Sequence, residues 1–416
     1  MAAASDRARF YLEQSVPELQ ELYRKKIFTK TEISSIARKR SDFEHKLSAP
    51  GSKPFDYARY AEFEINLDTL RRKRTKRLSV KSTPQSGQRR VFFVFDRATR
   101  KFPGDTALWL QYIEYARKQK AYKKGTQLLT NVLRLHPTKA ALWIFAAQHS
   151  LESDADMNAA RSYMQRGLRF CKTSRPLWLE YAKLETIYIA KLFGRRQILG
   201  LDQSRSAEQH TETIEGSDDH ITLPKLTIED VDPNSRTGES SDTATLDKLE
   251  STPALNGAIP LAIYDAAMEQ FQNDVDLGKG FFEVFAAFRG LPCLPQMLQH
   301  IVDHLFAVAP LSPSALSCYI RQPIEGVDLL SADFPRALGP SLERLDSALE
   351  KATRPMVLTE WAIDWLLDLH GTDNLDEAIK QVLALTLQSC GQKHQEASKR
   401  EEAIDEVHCR RVNEEA

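Results

Sequence analysis

The sequence predicts an all-α fold, an α-solenoid of helix-pair repeats interrupted by a disordered acidic linker. Three observations predict it. Trp109, Trp143 and Trp178 recur at intervals of 34 and 35 residues inside similar helical segments, and a fixed period in this range marks a helical repeat array. No stretch sustains strand alternation between hairpin turns. Residues 194–256 are rich in Ser, Thr, Asp and Glu and poor in aromatics, so they cannot bury enough apolar surface to offset their ordering entropy.

The N-terminal residues 6–47 read as two helices, the second opened by the capping box Thr29-x-x-Glu32. Residues 54–77 read as one long helix with a strongly basic end, and residues 78–88 as a flexible loop. Aligning the chain on its tryptophans then gives the first helix of each repeat. Trp109 is followed by Tyr112 and Ala116, Trp143 by Ala146, and Trp178 by Tyr181 and Glu185. An earlier, degenerate version is Tyr57, Tyr60 and Glu64. Positions i, i+3 and i+7 share one helix face, so the large rings form a buried stripe.

A second kind of helix lies twelve residues ahead of each tryptophan. Its strings are Phe95-Asp96-Arg97-Ala98, residues 127–133, and residues 160–168 with Arg166. Phe102-Pro103-Gly104-Asp105 and His136-Pro137-Thr138 are expected to end one helix and cap the next with Asp105 or Thr138. Pro176 sits near the start of the third first-type helix, where proline is tolerated. Past residue 256, Pro260 to Ala267 resembles another second helix with Ala266 at the Arg position. Phe282 and Phe285 are placed in the first helix that follows. Residues 391–416 form a charged tail.

These strings resemble half-a-TPR (HAT) repeats, whose pattern is W-x2-Y-x3-E in the first helix and aromatic-acid-Arg-Ala in the second. The N-terminal block is more distinctive. Tyr11 to Tyr23, Ile27 to Ile33 and Lys39 to Glu44 resemble the start of the U-three small nucleolar RNA-associated protein six family, the HAT-repeat member of the UtpB part of the small-subunit processome. The resemblance covers roughly residues 6–200 and is weaker from Gly257 onward. It implies a nucleolar scaffold for processing of pre-18S ribosomal RNA, with WD-repeat proteins, U-three small nucleolar RNA and pre-rRNA as company. It also implies a nuclear and nucleolar location.

Composition bounds this reading. The 416 residues suffice for two or three domains or one long array. No apolar leader precedes the first amphipathic helix, and no run is long enough to span a bilayer. Cys171, Cys293, Cys318, Cys390 and Cys409 are scattered without paired spacing, which suits a reducing compartment. The net charge of zero hides a split: residues 1–200 hold 40 Lys and Arg against 19 Asp and Glu, and the remainder 17 against 38. A basic half attracts a polyanion such as RNA.

Each candidate residue also has a plainer role. Arg71, Arg72, Lys73, Arg74, Lys76 and Arg77 place six cations in seven residues, a candidate RNA-binding or nuclear-import run. The plainer role is a solvated helix end complementing the helix dipole. His300 and His304 share metal-ligand spacing with no third ligand, on an ordinary amphipathic helix, and His408-Cys409 offers no more. Trp109/Tyr112 and Trp178/Tyr181 suit core packing better than base stacking. Glu64 and Glu185 suit a structural contact with an Arg of the second helix better than acid catalysis. The short apolar string from Leu223 and the Thr83-Pro84 dipeptide are weak docking and phosphorylation signals.

No phosphate-loop, nucleophile-elbow, zincin or dinucleotide signature occurs. The expectation is therefore a non-catalytic scaffold without metal or cofactor, membrane anchor or small-molecule substrate. Its parts are a docking block at 1–50, a HAT array at 51–193, the linker at 194–256, degenerate helical repeats at 257–390 and the tail. Alternatives are a HAT scaffold in splicing or mRNA 3′-end processing, or a direct RNA-binding protein using residues 71–77.

Overall fold

The computed structural model describes residues 2–80, 86–153, 155–198, 256–372 and 375–414, and every regular element among them is an α-helix. The chain divides into two compact units, Met1–Tyr163 and Met164–Ala416.

The first unit holds α1 (Ala2–Glu13), α2 (Val16–Arg24), α3 (Lys30–Ser48), α4 (Pro54–Arg77), α5 (Ser86–Lys101), α6 (Thr106–Lys118), α7 (Tyr122–Leu135), α8 (Ala140–Ser153) and the start of α9 (Met157–Phe170). From α3 to α8 each helix packs on the next in sequence. Residues 6–47 form three helices rather than two. Pro17 lies in the first turn of α2, where its missing N–H costs nothing, so a new helix starts there instead of α1 continuing. The capping box at α3 forms as read: the Thr29 N–H donates to the Glu32 carboxylate at 2.8 Å and the Glu32 N–H to the Thr29 hydroxyl at 3.3 Å. At α4 the Asp56 carboxylate accepts from the Lys53 N–H at 3.0 Å.

Two boundaries move. α5 starts at Ser86, inside the loop read over 78–88, because the Gln88–Val94 stretch already carries the apolar face that buries Val91 and Val94. Asp105 caps α6 through the N–H groups of Ala107 and Leu108. Thr138 does not play that part for α8, which begins two residues later at Ala140 with Lys139 in the preceding position.

The second unit holds the rest of α9, then α10 (Arg175–Ile198), α11 (Ala258–Gln270), α12 (Val275–Ala286), α13 (Leu294–Val308), α14 (Pro313–Arg321), α15 (Asp333–Lys351), α16 (Pro355–His370) and α17 (Glu377–Glu414). α10 runs five residues past Phe193, so helix occupies the first part of the segment read as linker from 194. The rest of that segment lies outside the described residues, as do the Leu223 string and Thr83-Pro84. α10 packs directly on α11 and α12, the helices that follow that segment. Arg175 pairs with Asp274, and a Cβ on Gly280 would touch Leu179 at 3.4 Å. A core of Leu316, Phe334, Leu345, Leu358, Leu366 and Leu383 joins α14 to α17, and α17 continues through the boundary read at 390 without a break.

Candidate functional site

The repeat residues meet in one recurring arrangement. The indole N–H of Trp109 donates to the Pro103 carbonyl at 3.1 Å, Trp143 to Pro137 at 2.8 Å, and Trp178 to Lys172 at 3.0 Å. The acceptor stands six residues earlier each time, in the turn that enters the helix. The rings of Trp109 and Trp143 are buried, and a buried indole needs a partner for its single donor. This bond is a feature that ring spacing alone does not announce.

The tyrosine at i+3 reaches back to the second-type helix. The Tyr112 hydroxyl donates to Asp96 at 2.8 Å, and the Tyr181 hydroxyl accepts from the Gln165 amide at 3.2 Å, with sixteen residues between partners in both pairs. Burial, then the bond to Asp96, pushes the Tyr112 phenol well above its usual range. One residue earlier sits the ring that stacks on the tyrosine: Phe95 on Tyr112, centroids 5.0 Å apart at 12°. Phe43 stacks on Tyr60 in the same way, at 5.1 Å and 18°. Seventeen residues separate the two rings in both pairs, so α3 meets α4 as α5 meets α6. Tyr264 meets Phe281 edge-on at 5.4 Å at this same spacing. Phe281, Phe282 and Phe285 are all buried on α12.

Glu64 and Arg97 carry charge into this packing. The Glu64 carboxylate accepts two bonds from Arg40, at 2.7 and 2.8 Å, with both side chains buried. Arg90 of α5 lies 3.8 Å away and donates to the Tyr60 hydroxyl at 3.1 Å. The expected Glu contact thus involves arginines on both flanking helices. Burial opposes the Arg40 charge, but Glu64, with Glu18 and Tyr60 beside it, offsets this and raises its pKa. Arg97 donates to both oxygens of Glu44 at 2.9 Å and lies 3.9 Å over the Tyr11 ring, joining α5 to α3 and α1. Glu185 is likewise buried, whereas Arg166 is exposed on α9.

The basic run is divided between paired and exposed cations. Arg71 is buried and donates to Asp68 at 3.0 and 2.7 Å. Arg72 pairs with the other Asp68 oxygen at 2.7 Å and bonds Gln119 at 2.8 Å. Arg74 grips Glu32 at 2.7 and 2.9 Å and stacks 4.8 Å from the Phe28 ring. Lys73, Lys76 and Arg77 are exposed. A helix carries a run of six around all its sides, so half of it faces neighbouring helices.

The remaining candidates have structural partners. His300 contacts Asp265 at 2.9 Å and His304 contacts the Tyr264 hydroxyl at 2.8 Å, tying α13 to α11. Among the described residues no group of three or more His, Cys, Asp or Glu is placed to hold a metal, and no helix is long and apolar enough to cross a membrane. Cys171, Cys293, Cys318 and Cys390 are buried thiols, and burial pushes Cys318 up to about 12.

Known proteins share part of this chain. Residues 12–93 match the family model described as U3 small nucleolar RNA-associated protein 6. A Schizosaccharomyces pombe protein of that name is 40% identical over 236 residues, 54% of this chain and 48% of the relative. A Dictyostelium discoideum homolog is 29% identical over 287 residues, 68% of this chain and 46% of the relative. The Homo sapiens homolog is 32% identical over 185 residues, 44% of this chain and 31% of the relative. The matched stretches span about half the length of these curated relatives or less. α1 to α5 carry both the matched segment and the first two helix pairings, and over this stretch the chain is similar to the U3 small nucleolar RNA-associated protein 6 family.

Proposed function

We propose that this protein is a non-catalytic scaffold subunit of the nucleolar ribonucleoprotein that contains U3 small nucleolar RNA and processes pre-18S ribosomal RNA. The observation that carries the proposal is the family match over residues 12–93, extended at 40% identity over 236 residues to a relative named for its association with that RNA. The helix pairs are HAT repeats stacked as an α-solenoid. Such arrays present long surfaces to partners, each repeat packing mainly on its neighbours. The recurring indole, tyrosine and acid contacts support this, because they spend the aromatic and charged motif residues on holding helix pairs together.

In this reading residues 1–50 dock to other subunits, WD-repeat proteins among them, while the basic first half lies near the pre-rRNA. Depletion tests it. Loss of the protein from nucleoli should accumulate unprocessed pre-18S precursor and leave large-subunit rRNA and messenger splicing unchanged. A splicing or 3′-end cleavage defect with normal 18S rRNA would overturn it in favour of a HAT scaffold in mRNA processing.

A further inference from the structure

A cleft of about 680 Å³ opens in the first unit between the α2–α3 turn and the C-terminal end of α4. Its walls carry Arg24, Lys26, Arg74 and Arg77, and among the described residues no carboxylate lines it. Arg74 is neutralised by Glu32. Arg24, Lys26 and Arg77 are exposed, and none is within ion-pairing distance of a carboxylate among the described residues. The ring of Tyr23 stands at the rim, 54% exposed. We propose that this cleft binds single-stranded RNA, with Arg24, Lys26 and Arg77 on phosphates and Tyr23 as a stacking platform for a base.

The pairing of unneutralised cations with an exposed aromatic face is the chemistry of sequence-tolerant single-strand binding. An acidic peptide meets the same charges. Ile27 and Phe28, however, are 2% and 3% exposed, which leaves Leu78 at one edge, 47% exposed, as the apolar group that could anchor a peptide side chain. The site also redraws the basic run: Arg71 drops out into its pair with Asp68, and cations about fifty positions away in sequence join Arg77. Lys26 holds a left-handed backbone, φ +56°, which glycine adopts freely. Its removal as Lys26→Gly therefore tests the charge without straining the turn.

This inference rests on the proposed place beside pre-rRNA but is tested apart from it. The purified full chain is titrated with a labelled 12-nucleotide RNA across a salt series, alongside Arg24→Gln/Lys26→Gly/Arg77→Gln and Tyr23→Leu. Three lost phosphate contacts should lower the slope of log affinity against log salt by about 2, and Tyr23→Leu should weaken binding about 5- to 100-fold, the worth of one stacked base. Circular dichroism confirms that both variants fold. Unchanged affinity and slope in the triple variant would overturn the proposal, as would competition by polyglutamate as effective as by unlabelled RNA. Capture of U3 RNA and processome proteins by the triple variant, with oligonucleotide binding lost, would support the cleft and leave assembly to protein contacts. Capture failing while the oligonucleotide still binds would count against the processome reading alone.

Discussion

Arg40 and Glu64 form a two-pronged ion pair, 2.7 and 2.8 Å, in which the side chains are 2% and 3% exposed. It joins α3 to α4 across the boundary that the sequence reading drew at residue 50. The geometry is the strongest that a carboxylate and a guanidinium can adopt, and it couples the N-terminal block to the first helix pair.

Removing one partner of this pair should be far worse than removing both. Glu64→Ala strips a buried guanidinium of its two-pronged partner, leaving Glu18 at 3.7 Å, and should cost about 3 kcal/mol, the lower end for a broken buried pair. Arg40→Met/Glu64→Leu, which fills the space with apolar groups, should lose much less than the sum of the single changes. Urea denaturation of the three variants measures this, and additive losses would show the pair to be uncoupled.

The Tyr112 hydroxyl and Asp96 test the recurring contact between helix types. Tyr112→Phe should cost about 1.5–3 kcal/mol, the worth of a hydrogen bond to a charged group. Asp96 keeps Lys124 at 3.1 Å, which favours the lower end. In a cycle with Asp96→Asn the coupling energy should be positive and about 1 kcal/mol or more.

Glu32 ties acid stability to the capping box. The bond from Arg74, then that from the Thr29 N–H, holds its carboxyl at about 2 against an ordinary 4.5. A depressed folded pKa favours the ionised form, so its contribution is present above about pH 4.5 and is lost as pH falls towards 2. Glu32→Gln should lower Tm at pH 6 and flatten its fall between pH 4.5 and 2.5. An equally steep fall in the variant would contradict this.

Gly278 is fixed by space. A Cβ there would sit 2.5 Å from Cδ2 of Leu305, itself fully buried. Gly278→Ala should destabilise by about 1–3 kcal/mol despite alanine's better helix propensity. Pairing it with Leu305→Ala should lose less than the two single changes together, because the second change opens the room that the first needs.

Much of the helical order was legible because ring spacing and caps are local. The capping box at Thr29, the extent of α4 and the buried faces around Trp109 and Trp143 follow from residues within a few turns of one another. The role of α3 was also written in the sequence, as Phe43-Glu44 standing the same distance before Tyr60 as Phe95-Asp96 before Tyr112. Without a tryptophan at position 57 that match is easily passed over. What was not legible depends on residues distant in sequence. Arg71 and Arg77 are equivalent in composition, yet one is spent on Asp68 and the other is exposed. Arg24 and Lys26 join Arg77 only because a turn brings them to the end of α4.

The most direct measurement is native affinity purification of the tagged full chain from nuclear extract, reading proteins and RNA together. The account predicts U3 small nucleolar RNA, pre-18S rRNA and WD-repeat processome subunits in the eluate. Recovery of spliceosomal or polyadenylation factors without U3 RNA would contradict it.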